Sequence, residues 1–233
     1  MSTDAIGQAL LAYYNTGDDT DIVVKSSITE DDIIPIEYLF RTYAKMPVIE
    51  QKALNLCRGK VLDVGAASGC HSKILKEKGF EVEAIDISEG AVEVMNLQGI
   101  TVKNQNFFNV TEKYDTLLFL MNGVGIAGTL NELPQFLNHA KSLLKPNGQI
   151  LLDSSDISYL FKEEDGSEWI NLNTNYYGEV SYQMEYKNHL TEPFNWLFVD
   201  FEKLKELAKS CGLKCELVCK GEHYDYLARL SIL

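Results

Sequence analysis

Apolar residues change their spacing twice along this chain. Over the first stretch, to about residue 57, Ile6, Ala9, Leu10, Tyr13 and Tyr14 recur as they would on one helix face. Pro35 and Pro47 stand where a first helical turn tolerates a missing N–H. They predict two further helices, one carrying Tyr38, Leu39 and Phe40, the other Ala53, Leu54 and Leu56. Asp18-Asp19-Thr20-Asp21 and Glu30-Asp31-Asp32 read as acidic loops or helix starts between them. The expectation is a helical cap over residues 1–57.

From Lys60 the rhythm becomes strand then helix, repeated. Residues 60–64 read as a strand, 71–78 as a helix closed by Gly79, and 81–87 as a second strand. Ser88 then caps a helix carrying Val92 and Met95 as far as Gly99. Residues 100–102 and 116–121 are further strands, the second fully apolar. Leu133, Phe136, Leu137, Ala140 and Leu144 share one face of a helix over 131–144. Lys145-Pro146-Asn147-Gly148 turns the chain into a strand at 149–153. Near-continuous apolar strands alternating with helices indicate a mostly parallel sheet covered on both faces. The fold class is therefore α/β and doubly wound.

The pattern changes again after about residue 158. Val180, Tyr182, Met184 and Tyr186 alternate with Ser181, Gln183, Glu185 and Lys187, the period of a strand with one wet face. Phe194, Trp196 and Phe198 alternate in a second strand, so residues 158–198 read as a β-hairpin-like insertion. Such an excursion is marginal alone and needs a surface to pack on, which a homodimer would supply. Asp200 caps a helix with Leu204, Leu207, Ala208 and Cys211 on one stripe. Strands at 214–219 and 224–230 end the chain in an antiparallel finish.

Composition narrows the partners. The 233 residues suit one domain over 58–233 with the cap before it. A net charge of −13, from 21 basic against 34 acidic residues, argues against nucleic acid, whose phosphates are bound by Lys and Arg. No run approaches the roughly 18 apolar residues of a membrane span. Asp4, with no basic residue before Lys25, does not fit a signal peptide, so a cytoplasmic location and no membrane partner are expected. Cys211, Cys215 and Cys219 are spaced more widely than paired zinc ligands. They read, like Cys57 and Cys70, as small apolar residues with reduced thiols, and no metal is expected.

The candidate chemistry lies in Val61-Leu62-Asp63-Val64-Gly65-Ala66-Ala67-Ser68-Gly69. Small residues at alternate positions after a buried strand let backbone approach a ligand, and the following helix offers N–H groups. A dinucleotide or S-adenosylmethionine would suit such a turn. The dinucleotide fingerprint G-x-G-x-x-G, laid from Gly65, meets Ala67 and Cys70 and fails at two of its three positions. An acid two residues before G-x-G-x-G gives Asp63, Gly65, Ala67 and Gly69, with one glycine changed.

On these residues the chain, from about Lys60 onward, resembles the class I S-adenosylmethionine-dependent methyltransferases, a Rossmann-like family. The resemblance implies that Asp63, Gly65, Ala66, Ala67 and Gly69 form the cofactor turn and that His71 meets the methionine end. It implies that Asp86, 21 residues after Gly65 and followed by Ile87, holds the ribose hydroxyls through its acceptor-only carboxylate. Asn106 then stands in for an acid on the adenine amino group, and Phe107 packs on the ring. Residues 114–122 resemble motif II, with Met121 and Asn122 facing the methionine portion or the methyl group. Residues 144–152 resemble the motif III turn and strand. Arg41, in the cap, would pair the cofactor carboxylate.

The implied activity is methyl transfer to a small-molecule acceptor. Tyr38, Trp169, Tyr176 and Trp196 are the candidate acceptor contacts. None of His71, His139, His189 or His223 is assigned as a base, and no catalytic residue is named. Two alternatives remain at this point. Ala67 and Asn106 depart from the family pattern, which leaves a non-catalytic cofactor-binding relative. The failed fingerprint leaves a nicotinamide-dependent oxidoreductase as a weaker one, and the charge disfavours an RNA methyltransferase.

Overall fold

In a computed structural model, residues 4–161 and 175–233 are described; Trp169 lies outside them. Asp4 starts the first helix by accepting the Gly7 N–H at 2.9 Å, and α1 (Ala5–Thr16) ends at Gly17, φ 72°. Two short strands follow, β1 (Ile22–Ser26) and β2 (Asp32–Ile34). Behind Pro35 comes α2 (Ile36–Leu39) and behind Pro47 comes α3 (Val48–Leu56), so both prolines open helices as expected. The expected cap has its three helices, and is corrected between the first two, where strands stand. β1 and β2 pair antiparallel, Val23 opposite Ile33, and β-branched Ile22, Val23 and Val24 gain a second strand partner at residues 182–185, which the first 57 residues alone do not reveal.

The repeating region then runs β3 (Lys60–Val64), α4 (Cys70–Glu77), β4 (Glu81–Asp86), α5 (Glu89–Leu97), β5 (Val102–Asn104), β6 (Tyr114–Phe119), α6 (Leu133–Ser142) and β7 (Leu144–Ser155). β7 takes in the expected turn at 145–148, where its register against β6 shifts and Asn147 has φ 63°. The tail is β8 (Glu179–Tyr186), β9 (His189–Leu190), β10 (Phe194–Leu197), α7 (Phe201–Ser210), β11 (Leu213–Lys220) and β12 (Asp225–Ile232).

Two sheets result. The seven-stranded one has the order β11-β12-β7-β6-β3-β4-β5, parallel from β7 to β5 and antiparallel at β11 and β12. Val61 and Leu62 point to opposite faces of β3 and enter different cores. Val61 meets Ile49, Leu54 and Ile74 from α3 and α4, whereas Leu62 joins Phe136, Leu137 and Leu204 from α6 and α7. From β3 the chain moves one way to β4 and β5, then returns to β6 and β7 on the other side. The crevice for a ligand opens at that reversal, beyond the carboxyl ends of β3 and β6.

The second sheet has the order β10-β8-β1-β2, with β9 on β8. The insertion therefore packs on the N-terminal strands: Val23 faces Glu185 and Lys25 faces Gln183. The expected division after residue 57 cuts through this sheet. Tyr182 packs on Phe198, and Tyr186 is buried with Leu10, Ile22 and Ile36, so these aromatic faces are used within the chain.

Candidate active site

The turn after β3 holds three residues in the left-handed region: Gly65 (φ 70°), Ala67 (φ 50°) and Gly69 (φ 78°). Ala67 bears a steric cost of about 1–2 kcal/mol there, which a tightly built site can sustain. The Gly65 and Ala66 N–H groups donate to Ile85 O at 2.9 and 3.2 Å, and the Ala67 N–H donates to Asp86 Oδ2 at 2.9 Å. The neighbouring strand end consumes these three N–H groups, which precede the helix whose first N–H groups are expected to meet a ligand. A pyrophosphate needs such donors, which weighs against a dinucleotide. What the turn offers is close approach: Gly65 is exposed, and a methyl in its place would lie 3.4 Å from Ile126 Cδ1.

Asp86 sits half-buried at the end of β4. Its oxygens accept from Ala67 and from the Ser88 N–H at 2.9 Å, and burial raises its pKa against those bonds. Each oxygen keeps a lone pair for a hydroxyl. Ile87 beside it is 73% exposed, a free apolar surface. Asn106 is exposed, and its Oδ1 accepts the Phe108 N–H at 2.9 Å. The expectation for Phe107 is corrected. The tight turn at 107–109 aims its ring inward, 5.1 Å from Phe119 and 4.8 Å from His139, with 3% exposure, so it has no face left for an adenine.

After β6, Met121 (φ 65°) and Asn122 (φ 56°) form a second left-handed stretch. The Asn122 amide donates to Leu197 O at 3.0 Å and accepts the Ser154 hydroxyl at 3.1 Å. It ties β10 and β7 to this edge, so the amide expected to face the methyl group or the methionine portion has protein partners at both its nitrogen and its oxygen. Asp153 is buried at the end of β7 and accepts the Gly123 N–H at 2.9 Å. Burial pushes its pKa up to about 6 despite that bond.

Beneath the turn lies a buried polar layer. Asp63 accepts the Ser72 hydroxyl at 2.7 Å, and burial raises its pKa. It props the first turn of α4, a supporting task in place of the cofactor contact expected of it. His71 is buried beside it and donates from Nε2 to Glu50 at 2.8 Å. Arg41 pairs the same carboxylate at 2.5 Å, lies 4.0 Å over the Tyr38 ring, and has its buried Nε unpartnered. Ser68 donates to Leu39 O, joining the turn to the N-terminal segment.

Tyr38 is 38% exposed, and Trp196 packs its indole against Gly125, where a Cβ would strike the Nε1 atom. Tyr176 is corrected. Its hydroxyl donates to Asp200 Oδ2 at 2.7 Å and accepts the Asp200 N–H at 3.1 Å, so it braces the start of α7. The expected residues thus divide in two. Gly65, Ala67, Asp86, Ile87, Asn106, Met121 and Asn122 have surface along the crevice edge, whereas Asp63, Ala66, Gly69, His71, Arg41 and Phe107 are buried. The sequence reading missed Glu50, Ser68 and Asp153. An acid ending the apolar run Ile150-Leu151-Leu152 signals Asp153; Glu50 looks like any helix-surface glutamate.

Residues 37–218 match the family of methyltransferase domains, and the chain belongs to that family. A SAM-dependent methyltransferase from Bacteroides fragilis, solved with S-adenosyl-L-homocysteine, is 45% identical with a TM-score of 0.93 and covers 99% of this chain and 95% of its own. YqeM of Bacillus subtilis (strain 168), provisionally named a methyltransferase, is 24% identical over 191 residues, 69% of this chain and 76% of YqeM. The CcbJ methyltransferase of Streptomyces caelestis shares the fold at 16% identity and a TM-score of 0.62, over 82% of this chain and 92% of CcbJ. This protein is a SAM-dependent methyltransferase, and S-adenosylmethionine is its cofactor.

Proposed function

We propose that the protein methylates a small-molecule acceptor held between the cofactor crevice and the second sheet. The observation that carries this reading is the fastening of that sheet across the crevice edge, through the Asn122 amide on Leu197 O at 3.0 Å and the Trp196 indole on Gly125. A sheet fastened there leaves room for a compact acceptor and obstructs a folded RNA, whose phosphates a chain of net charge −13 would also repel. No helix among the described residues is long and apolar enough to cross a membrane, in keeping with the cytoplasmic location we favour.

The residues fit the cofactor. When bound, S-adenosylmethionine supplies an activated methyl group on its sulfonium. Asp86 accepts from the ribose hydroxyls, and Ile87 gives the adenine an apolar surface. Gly65 and Ala67 admit the adenosyl group against backbone, while the buried Nε of Arg41, without a partner among the described residues, would serve the cofactor carboxylate. Trp196 and Tyr38 exclude water and orient the acceptor, which supplies most of what an in-line transfer requires.

Formation of S-adenosylhomocysteine with panels of small amines, phenols and carboxylates, against RNA and protein panels, tests this. Turnover with small acceptors is expected. Turnover confined to RNA or protein would overturn the acceptor class, and tight product binding with no turnover on any panel would favour a non-catalytic relative.

A further inference from the structure

Three side chains from separate segments meet under the cofactor turn. The side chains of Arg41, Glu50 and His71 are 2%, 3% and 6% exposed. Glu50 Oε2, on α3, accepts from Arg41 Nη2 at 2.5 Å and from His71 Nε2, in the first turn of α4, at 2.8 Å. Burial raises the Glu50 pKa, but the bonds and charges of His71 and Arg41 outweigh it and leave the carboxyl below its ordinary range. The other end of the guanidinium is also held, since Arg41 Nη1 donates to Tyr38 O at 2.5 Å.

Both terminal nitrogens are therefore anchored, and the guanidinium plane is fixed. Nε is the one nitrogen left over, buried and without a partner among the described residues. Packing alone explains this arrangement poorly, because apolar residues of similar size would fill the space without the desolvation that buried charges bring. A donor edge held rigid, with its Nε–H still to spare, is what a bound anion needs. Tied through His71, that edge moves with α4, the helix that opens at the cofactor turn.

We propose that Glu50 is a positioning residue for the amino-acid end of the cofactor. It fixes the Arg41 guanidinium and ties it to α4 through His71, so that the carboxylate meets a preformed donor. This rests on the reading of Arg41 given above.

Calorimetry with two ligands isolates the effect. S-adenosylhomocysteine carries the carboxylate, whereas 5′-methylthioadenosine keeps the adenosine and lacks the amino-acid portion. Glu50→Gln removes the charge and keeps the shape. It should weaken S-adenosylhomocysteine about tenfold, as loss of a charge-assisted contact does, while 5′-methylthioadenosine changes less than about twofold. Equal weakening of both ligands, or no weakening of either, would overturn the proposal. Circular dichroism checks folding. If Glu50→Gln does not fold, Glu50→Asp keeps the charge and retracts the anchor, and should show the same selective loss at smaller size. Arg41→Lys separates the two readings. If it leaves S-adenosylhomocysteine binding unchanged, the carboxylate assignment fails; if it acts selectively while the Glu50 variants do not, only the Glu50 proposal fails.

Discussion

Asp153 ties the stability of this protein to pH in a direction opposite to that of most carboxylates. Burial raises its pKa from 3.8 to about 6, with Glu50 pushing the same way and His71 and the backbone N–H groups of Gly123 and Asn122 opposing. The folded state therefore holds this proton more tightly than the unfolded chain. Between the two values the unfolded state binds fewer protons, so the contribution of Asp153 to stability is full below pH 4 and is lost as pH rises toward 6. A shift of this size amounts to about 3 kcal/mol. Asp153→Asn retains an oxygen for the Gly123 N–H and cannot ionise. Urea unfolding of both proteins at half-unit steps from pH 4 to pH 7, followed by tryptophan fluorescence, gives the difference in stability at each pH, and other carboxylates largely cancel in it. That difference should move by about 3 kcal/mol in favour of the variant as pH rises. A flat difference, or one that grows as pH falls, would refute the argument that burial dominates at this carboxyl.

The remaining predictions concern the cofactor contact and the N-terminal helix. Asp86→Ala should weaken S-adenosylhomocysteine binding by about 1.5–3 kcal/mol in calorimetry, and unchanged affinity would remove the ribose assignment. Gly90→Ala would place a Cβ 2.5 Å from the Gly7 carbonyl carbon, where α1 and α5 touch backbone to backbone. The strain of about 1–3 kcal/mol should exceed the gain of about 1 kcal/mol in helix propensity, and a stabilised variant in urea unfolding would contradict this. Asp4 accepts from Gly7 N–H at 2.9 Å, Ser88 Oγ at 2.8 Å and Gly90 N–H at 3.0 Å, serving two helix starts at once. Asp4→Ala should cost about 1–2 kcal/mol by the same measurement; a loss below about 0.3 kcal/mol would mean that water replaces these bonds without penalty.

Local sequence determined the parallel sheet and its turn. Strand and helix periods from Lys60 onward are short-range signals, and most were met where expected, although the strand read at 100–102 forms at Val102–Asn104 and is only partly buried. The turn at 65–69 and Asp86 were legible for the same reason, since spacing along a βαβ unit converts directly into distance across it. Side-chain direction was less legible. Phe107 and Phe108 are adjacent and equally apolar, and only the tight turn at 107–109 decides which of them enters the core. Asn122 carries an amide suited to a ligand, yet its partners Leu197 and Ser154 arrive from other parts of the chain.

Tertiary structure alone decided the second sheet and the buried layer under the turn. β1 pairs with β2 nearby, but it lies inside the sheet because β8, more than 150 residues later, takes its other edge, and no window around residues 22–26 contains that information. Glu50 is likewise invisible as a functional residue. A glutamate in a helix is ordinarily solvated, and what buries this one is the simultaneous approach of Arg41 and His71. The sequence by itself pointed to the cofactor, because the spacing of Gly65, Ala67 and Gly69 and the distance to Asp86 are short-range features of one strand–helix–strand unit. The second sheet and the buried group of Arg41, Glu50 and His71 depend on residues far apart in the chain, and folding alone brings them together.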